Sequence, residues 1–80
     1  MDEYQFTIIV EHQPEGGYLV TVPALPGCFT EGRTIEEARE MASDAIHAYC
    51  VSLKKHGEPI PVEMPAEQFI GHVRVALEAA

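Results

Sequence analysis

Tyr4, Phe6, Ile8 and Val10 alternate with Gln5, Thr7, Ile9 and Glu11, the period-two pattern of a strand covered mainly on one face, so residues 4–11 predict a first strand. Only Ile9 breaks the polar side. His12 to Gly17 follows as a hairpin loop, because Pro14 stops pairing and Gly16 and Gly17 accept positive φ. Tyr18 to Val22 returns as a second strand with Tyr18, Val20 and Val22 on one face. Pro23 and Pro26 then bracket Ala24 and Leu25, each removing a backbone donor, and Gly27 permits a sharp change of direction before a short third strand, Cys28 to Glu31. Gly32 and Arg33 lead into Thr34-Ile35-Glu36-Glu37, a threonine followed three residues later by glutamate, which is a capping box.

From Ile35 to His56 the apolar positions Ala38, Ala42, Ala45, Ile46, Tyr49 and Leu53 recur at three- and four-residue steps and predict one long helix with a single packing stripe. Glu36 and Glu37 in its first turn and Lys54, Lys55 and His56 in its last suit the helix dipole, while Gly57 and Pro59 end it. Glu58-Pro59-Ile60-Pro61 is an extended connector, and Pro65 to Phe69 is at most one helical turn. His72 to Leu77 alternates Val73, Val75 and Leu77 against His72, Arg74 and Ala76, which predicts a fourth strand. The order βββαβ predicts an α+β domain over residues 1–80, an antiparallel sheet with one long helix packed on it and the last strand joining after a crossover.

Size and charge narrow the function. A core drawn from 80 residues is marginal, since one this small supplies only about 3–5 kcal/mol, so a homo-oligomer, dimer or tetramer, is expected. The formal charge of −8 repels phosphate backbones, and the basic residues Arg33, Arg39, Lys54, Lys55 and Arg74 form no patch, so direct nucleic-acid binding is not expected. The same charge suits a basic protein partner or simply keeps the chain soluble. Cys28 and Cys50 are too few for a disulfide framework, no secretory leader pattern precedes Tyr4, and no apolar run approaches the length of about 20 residues that a membrane span needs. A cytoplasmic protein with reduced thiols and no membrane association is the expectation.

Candidate chemistry is sparse. His47 and Cys50 lie three apart on the predicted helix, with Cys28, His12 or His56 to complete a metal shell, yet neither Cys-x-x-Cys nor His-x-x-x-His spacing occurs. No metal site or cofactor is expected. Cys28 follows a glycine in a turn, which is only a loose likeness to a nucleophile loop, and a buried thiol is the simpler account. Glu36, Glu37, Glu40 and Asp44 lie along the outer side of the helix rather than converging, and the glycines lack phosphate-cradle spacing. No catalytic residue is assigned, and an enzyme is not expected.

Four runs carry a resemblance: Gly16-Gly17-Tyr18; Val22-Pro23-Ala24-Leu25-Pro26-Gly27-Cys28-Phe29-Thr30-Glu31-Gly32; Thr34-Ile35-Glu36-Glu37-Ala38; and Gly57-Glu58-Pro59-Ile60-Pro61. Together they resemble the N-terminal domain of the HicB antitoxin family, over Tyr4 to about Pro61. The resemblance implies a partial RNase H-like fold and a non-catalytic role in a type II toxin-antitoxin system, in which the chain blocks a small basic mRNA-cleaving toxin, HicA, by occluding its active site. The first strand carries Thr7 and Ile9 where an RNase H site begins with a metal-holding aspartate, which argues against nuclease activity. Many members of the family continue into a DNA-binding domain; the sequence ends at Ala80 in a short form without one, so operator binding is not expected. Tyr18, Leu25 and Phe29 are the candidate partner contacts, with packing of Leu25 and Phe29 beneath the helix as their alternative. A stand-alone self-associating scaffold or regulatory binding module without a toxin is the competing function.

Overall fold

The computed structural model describes residues 3–63 and 71–79. Three strands, β1 (Ile9–His12), β2 (Tyr18–Thr21) and β3 (Phe29–Gly32), precede one helix, α1 (Ile35–Lys55). The strands form one antiparallel sheet in the order β1-β2-β3, so the expected α+β class and the βββα order are found. β1 is shorter than its alternation predicts, because residues 4–8 keep the side-chain pattern without a ladder partner; Phe6 and Ile8 still pack against the core. Period two reports which side chains are covered, and a strand also needs a neighbour's backbone.

Register sorts the side chains between two faces. Val10, Val20 and Thr30 form one cross-strand row, and His12, Tyr18 and Gly32 the next, both toward α1. Val20, Ala38 and Ala42 make one buried cluster, and Val22, Leu25 and Cys28 a second beneath the C-terminal half of the helix with Ile46 and Tyr49 against it. Small residues on the helix stripe bring α1 close to β3. At Gly32 a Cβ would meet the Ala38 nitrogen and lie 2.6 Å from Ala38 Cα.

Both helix ends obey their local sequence. Thr34 Oγ1 accepts from the Glu37 N–H at 3.0 Å, while the Glu37 carboxylate accepts from the Arg33 N–H at 3.3 Å, one residue further back than a regular capping box. At the other end, Gly57 (φ 69°) donates to the Lys54 carbonyl at 3.1 Å and Glu58 to the Leu53 carbonyl at 2.9 Å, a Schellman closure. The connector then returns along the sheet, where the Glu63 carboxylate accepts from the Thr7 N–H at 2.7 Å and from its hydroxyl at 2.8 Å.

Among the described residues the predicted fourth strand is not formed. Residues 71–79 have no ladder partner and are exposed throughout, with Val73, Val75 and Leu77 at 88%, 69% and 89%. Alternation gives this segment one apolar face, but no strand edge among the described residues meets it. The turn predicted over Pro65 to Phe69 lies outside the described residues.

A candidate protein-binding face on the sheet

The face of the sheet turned away from α1 is built from two cross-strand rows. One is Ile9, Thr21 and Phe29; the other is Glu11, Leu19 and Glu31. Phe29 is 64% exposed, Ile9 and Leu19 are half-buried, and Glu11 and Glu31 are exposed. An aromatic and two aliphatic side chains thus share an open surface with two carboxylates. No helix covers it among the described residues.

The loop between β2 and β3 fixes how Phe29 is presented. Leu25 N–H donates to the Val22 carbonyl at 3.0 Å, Cys28 N–H to the Leu25 carbonyl at 3.0 Å, and Val22 N–H to the Cys28 carbonyl at 3.1 Å, so the proline-bracketed segment closes on itself. Leu25 plugs the loop into the core at 0% exposure. The Tyr49 hydroxyl donates to the Pro26 carbonyl at 2.8 Å and ties the loop to the helix. Cys28, buried beneath it, has a thiol pushed up from its ordinary value, first by burial and then by the nearby Cys50, so its nucleophilic thiolate is disfavoured.

The three candidate contacts are not brought together. Phe29 stands on the open face rather than beneath the helix. Leu25 has no exposed surface and acts as the support of the loop before Phe29. Tyr18 sits on the opposite side of the sheet at the hairpin end, where its ring lies 5.0 Å from that of His12. Ile9 and Leu19 were the signal for this face in the sequence: each puts an aliphatic side chain where a half-covered strand calls for a polar one.

At the sheet's end, Glu15, Glu31, Glu37 and Arg33 line an open crevice of about 390 Å³, with the Arg33–Glu37 ion pair at 3.6 Å on its rim. On the helix side, Tyr4, Phe6, Ile8, Ala42, Ile46 and Cys50 line a groove of about 480 Å³, with Arg39 and His47 at its edge. His47 and Cys50 share that groove, but among the described residues no three His, Cys, Asp or Glu side chains converge as a metal set would. His56 instead turns its Nδ1 to the Ser52 carbonyl, 2.8 Å away. No helix among the described residues is long and apolar enough to cross a membrane.

Residues 6–75 match the family described as HicB-like antitoxin of bacterial toxin-antitoxin system. The chain is 53% identical over 57 residues to a UPF0150 protein of Thermoplasma acidophilum, covering 71% of this chain and 83% of that one. It is 37% identical over 76 residues to Antitoxin HicB 1 of Photorhabdus laumondii, covering 95% of this chain and 48% of the antitoxin. Against Antitoxin HicB of Escherichia coli K12 the identity is 30% over 76 residues, or 95% of this chain and 55% of the antitoxin. The chain therefore spans about half the length of these two HicB antitoxins.

Proposed function

The chain belongs to the HicB-like antitoxin family, and from that premise we propose that it binds and neutralises a small basic RNA-cleaving toxin of the HicA type by covering the toxin's active site. The observation that carries this reading is the open sheet face, where Phe29, Ile9 and Leu19 stand between the carboxylates of Glu11 and Glu31. Binding faces combine an aromatic anchor that desolvates on contact with a charged surround that sets partner and orientation. A ribonuclease presents cations where it holds the RNA backbone, and these are the groups that Glu11 and Glu31 complement.

Neutralisation then needs no chemistry from this chain. Phe29 supplies buried apolar area at the centre, held in place by the loop that Leu25 and Tyr49 fix. The carboxylates compete with RNA phosphates for the toxin's basic side chains, and the overall charge of −8 speeds encounter with a basic partner at low salt. Tyr18, on the helix side of the sheet, contributes only where a toxin wraps around the hairpin end.

Co-expression with the adjacent reading frame tests the proposal. A small basic protein should co-purify and its RNA cleavage should stop on complex formation. Phe29→Asp removes the anchor and should weaken binding by about 30-fold or more, the effect of losing a contact worth about 2 kcal/mol. Glu40→Gln, on the exposed side of α1, should leave affinity nearly unchanged. If no small basic protein is encoded beside the chain or none co-purifies, the antitoxin reading fails and the self-associating module takes its place.

A further inference from the structure

The helix-side groove and the exposed segment at residues 72–77 are complementary, and neither has a partner among the described residues. The groove is an apolar trough between residues 4–8, which have no ladder partner, and the stripe of α1 at Ala42, Ile46 and Cys50. The segment presents Val73, Val75 and Leu77 on one side at strand spacing, each largely exposed. We infer that residues 72–77 form a strand donated to a second copy of this chain, pairing along the free flank of β1 and seating those three side chains in the groove, with the exchange reciprocated.

Four observations favour a second copy as the occupant. The radius of gyration is 16.2 Å and the longest extent 56 Å, whereas a compact domain of this length has a radius near about 11.6 Å; the chain reaches outward instead of closing on itself. The connector is held to its own body by the two hydrogen bonds from Thr7 to Glu63, and Pro59 and Pro61 bias it toward extended backbone. Among the described residues this groove and this segment stand one to one, so a two-fold exchange fills both, the closed isologous arrangement of a swapped dimer. The donated segment carries Arg74 and no carboxylate in a chain of charge −8, so this contact avoids the repulsion that two acidic bodies meet elsewhere.

The geometry also orients the exchange. Residues 64–70 span at most about 25 Å when fully extended, so the Thr7 ends of the two bodies face each other near the two-fold axis. The donated strand then enters at that end and runs parallel to β1. Phe6 and Cys50 belong to the cluster at that end, and Val10 and Ala38 to the other, so Val73 arrives beside Cys50 of the second copy.

Light scattering on the full chain at tens of micromolar should give twice the monomer mass. Val73→Cys, mildly oxidised, should form a covalent dimer on a non-reducing gel, and adding Cys50→Ala should abolish it. The double variant V75D/L77D should be monomeric with its helical dichroism intact, because those side chains are solvent-exposed in the isolated chain. A monomeric native chain overturns the inference. So does a Cys50 cross-link formed within one chain, or a dimer that V75D/L77D leaves intact.

Discussion

Replacing Gly32 by alanine would put a Cβ 2.6 Å from Ala38 Cα and 2.9 Å from the Glu37 carbonyl carbon. Carbon atoms rest at about 3.5–4.0 Å, so the first turn of α1 must rise by about 1 Å or β3 must leave its ladder. Both neighbours are backbone, and neither can rotate aside as a side chain would. Lifting the helix also opens space over Val20, Ala38 and Ala42, the buried cluster on which its N-terminal half sits. Overpacking costs about 1–3 kcal/mol, and contact with backbone places this site at about 3 kcal/mol. The lower unfolded-state entropy of alanine returns about 0.4–1 kcal/mol and does not change the sign. That is a large share of the about 3–5 kcal/mol that a core this small supplies, so the melting temperature should fall by about 10–20 °C. Thermal and urea unfolding by far-UV circular dichroism, at one protein concentration, gives the value. Gly57→Ala is the comparison: its φ is 69° and nothing lies within 4 Å of the added atom, so it pays only the left-handed penalty of about 1 kcal/mol. A Gly32→Ala variant that melts within about 3 °C of the parent, or above Gly57→Ala, would refute the steric reasoning.

Three further outcomes follow from the β2–β3 loop and the helix residues packed on it. Tyr49→Phe deletes the hydroxyl bonded to the Pro26 carbonyl and should cost about 1 kcal/mol in urea unfolding, with backbone amide shifts confined to residues 23–28. The Cys28 thiol is raised in the folded state by burial and by Cys50, so the native protein holds this proton more tightly than the unfolded chain. Its contribution is therefore complete below the unfolded thiol value and is lost as pH rises through the folded one. Unfolding free energy should fall above about pH 9, and Cys28→Ala should flatten that decline relative to the parent. At neutral pH a thiol reagent should modify half-buried Cys50 before buried Cys28.

The helix was fully legible because its information is local: Thr34, the three- and four-residue stripe and Gly57 act on neighbours in sequence, and α1 runs Ile35–Lys55 against a predicted end at His56. The strands were less so. Residues 4–8 and 72–77 carry the same alternation as β1, yet whether they pair depends on an edge that alternation does not specify. The alternative that packs Phe29 beneath the helix fails for a related reason. It follows a buried Leu25 and Cys28 in a proline-broken loop, and one residue of register decides whether its ring faces the helix or the open side. Gly32 was read only as a lead into the helix; its closeness to Ala38 is a tertiary contact that no turn signal contains.

A single three-stranded sheet has two faces and two edges, and in this chain they impose different demands. The helix covers one face, but its stripe is longer than the short strands beneath it, 21 residues against three strands of 4. Past the end of the ladder, the stripe meets residues 4–8 and leaves the groove in which we propose that residues 72–77 of a second copy seat. The other face is left open and carries Phe29 among carboxylates. The proposed strand exchange on the helix side and the proposed toxin binding on the open side therefore use separate surfaces, so such a dimer would keep both open faces available. It also gathers the charge of two chains of −8, strengthening the field that draws in a basic partner. Dimerisation and neutralisation should consequently separate by mutation: V75D/L77D abolishes the first while keeping one-to-one binding, and Phe29→Asp does the reverse.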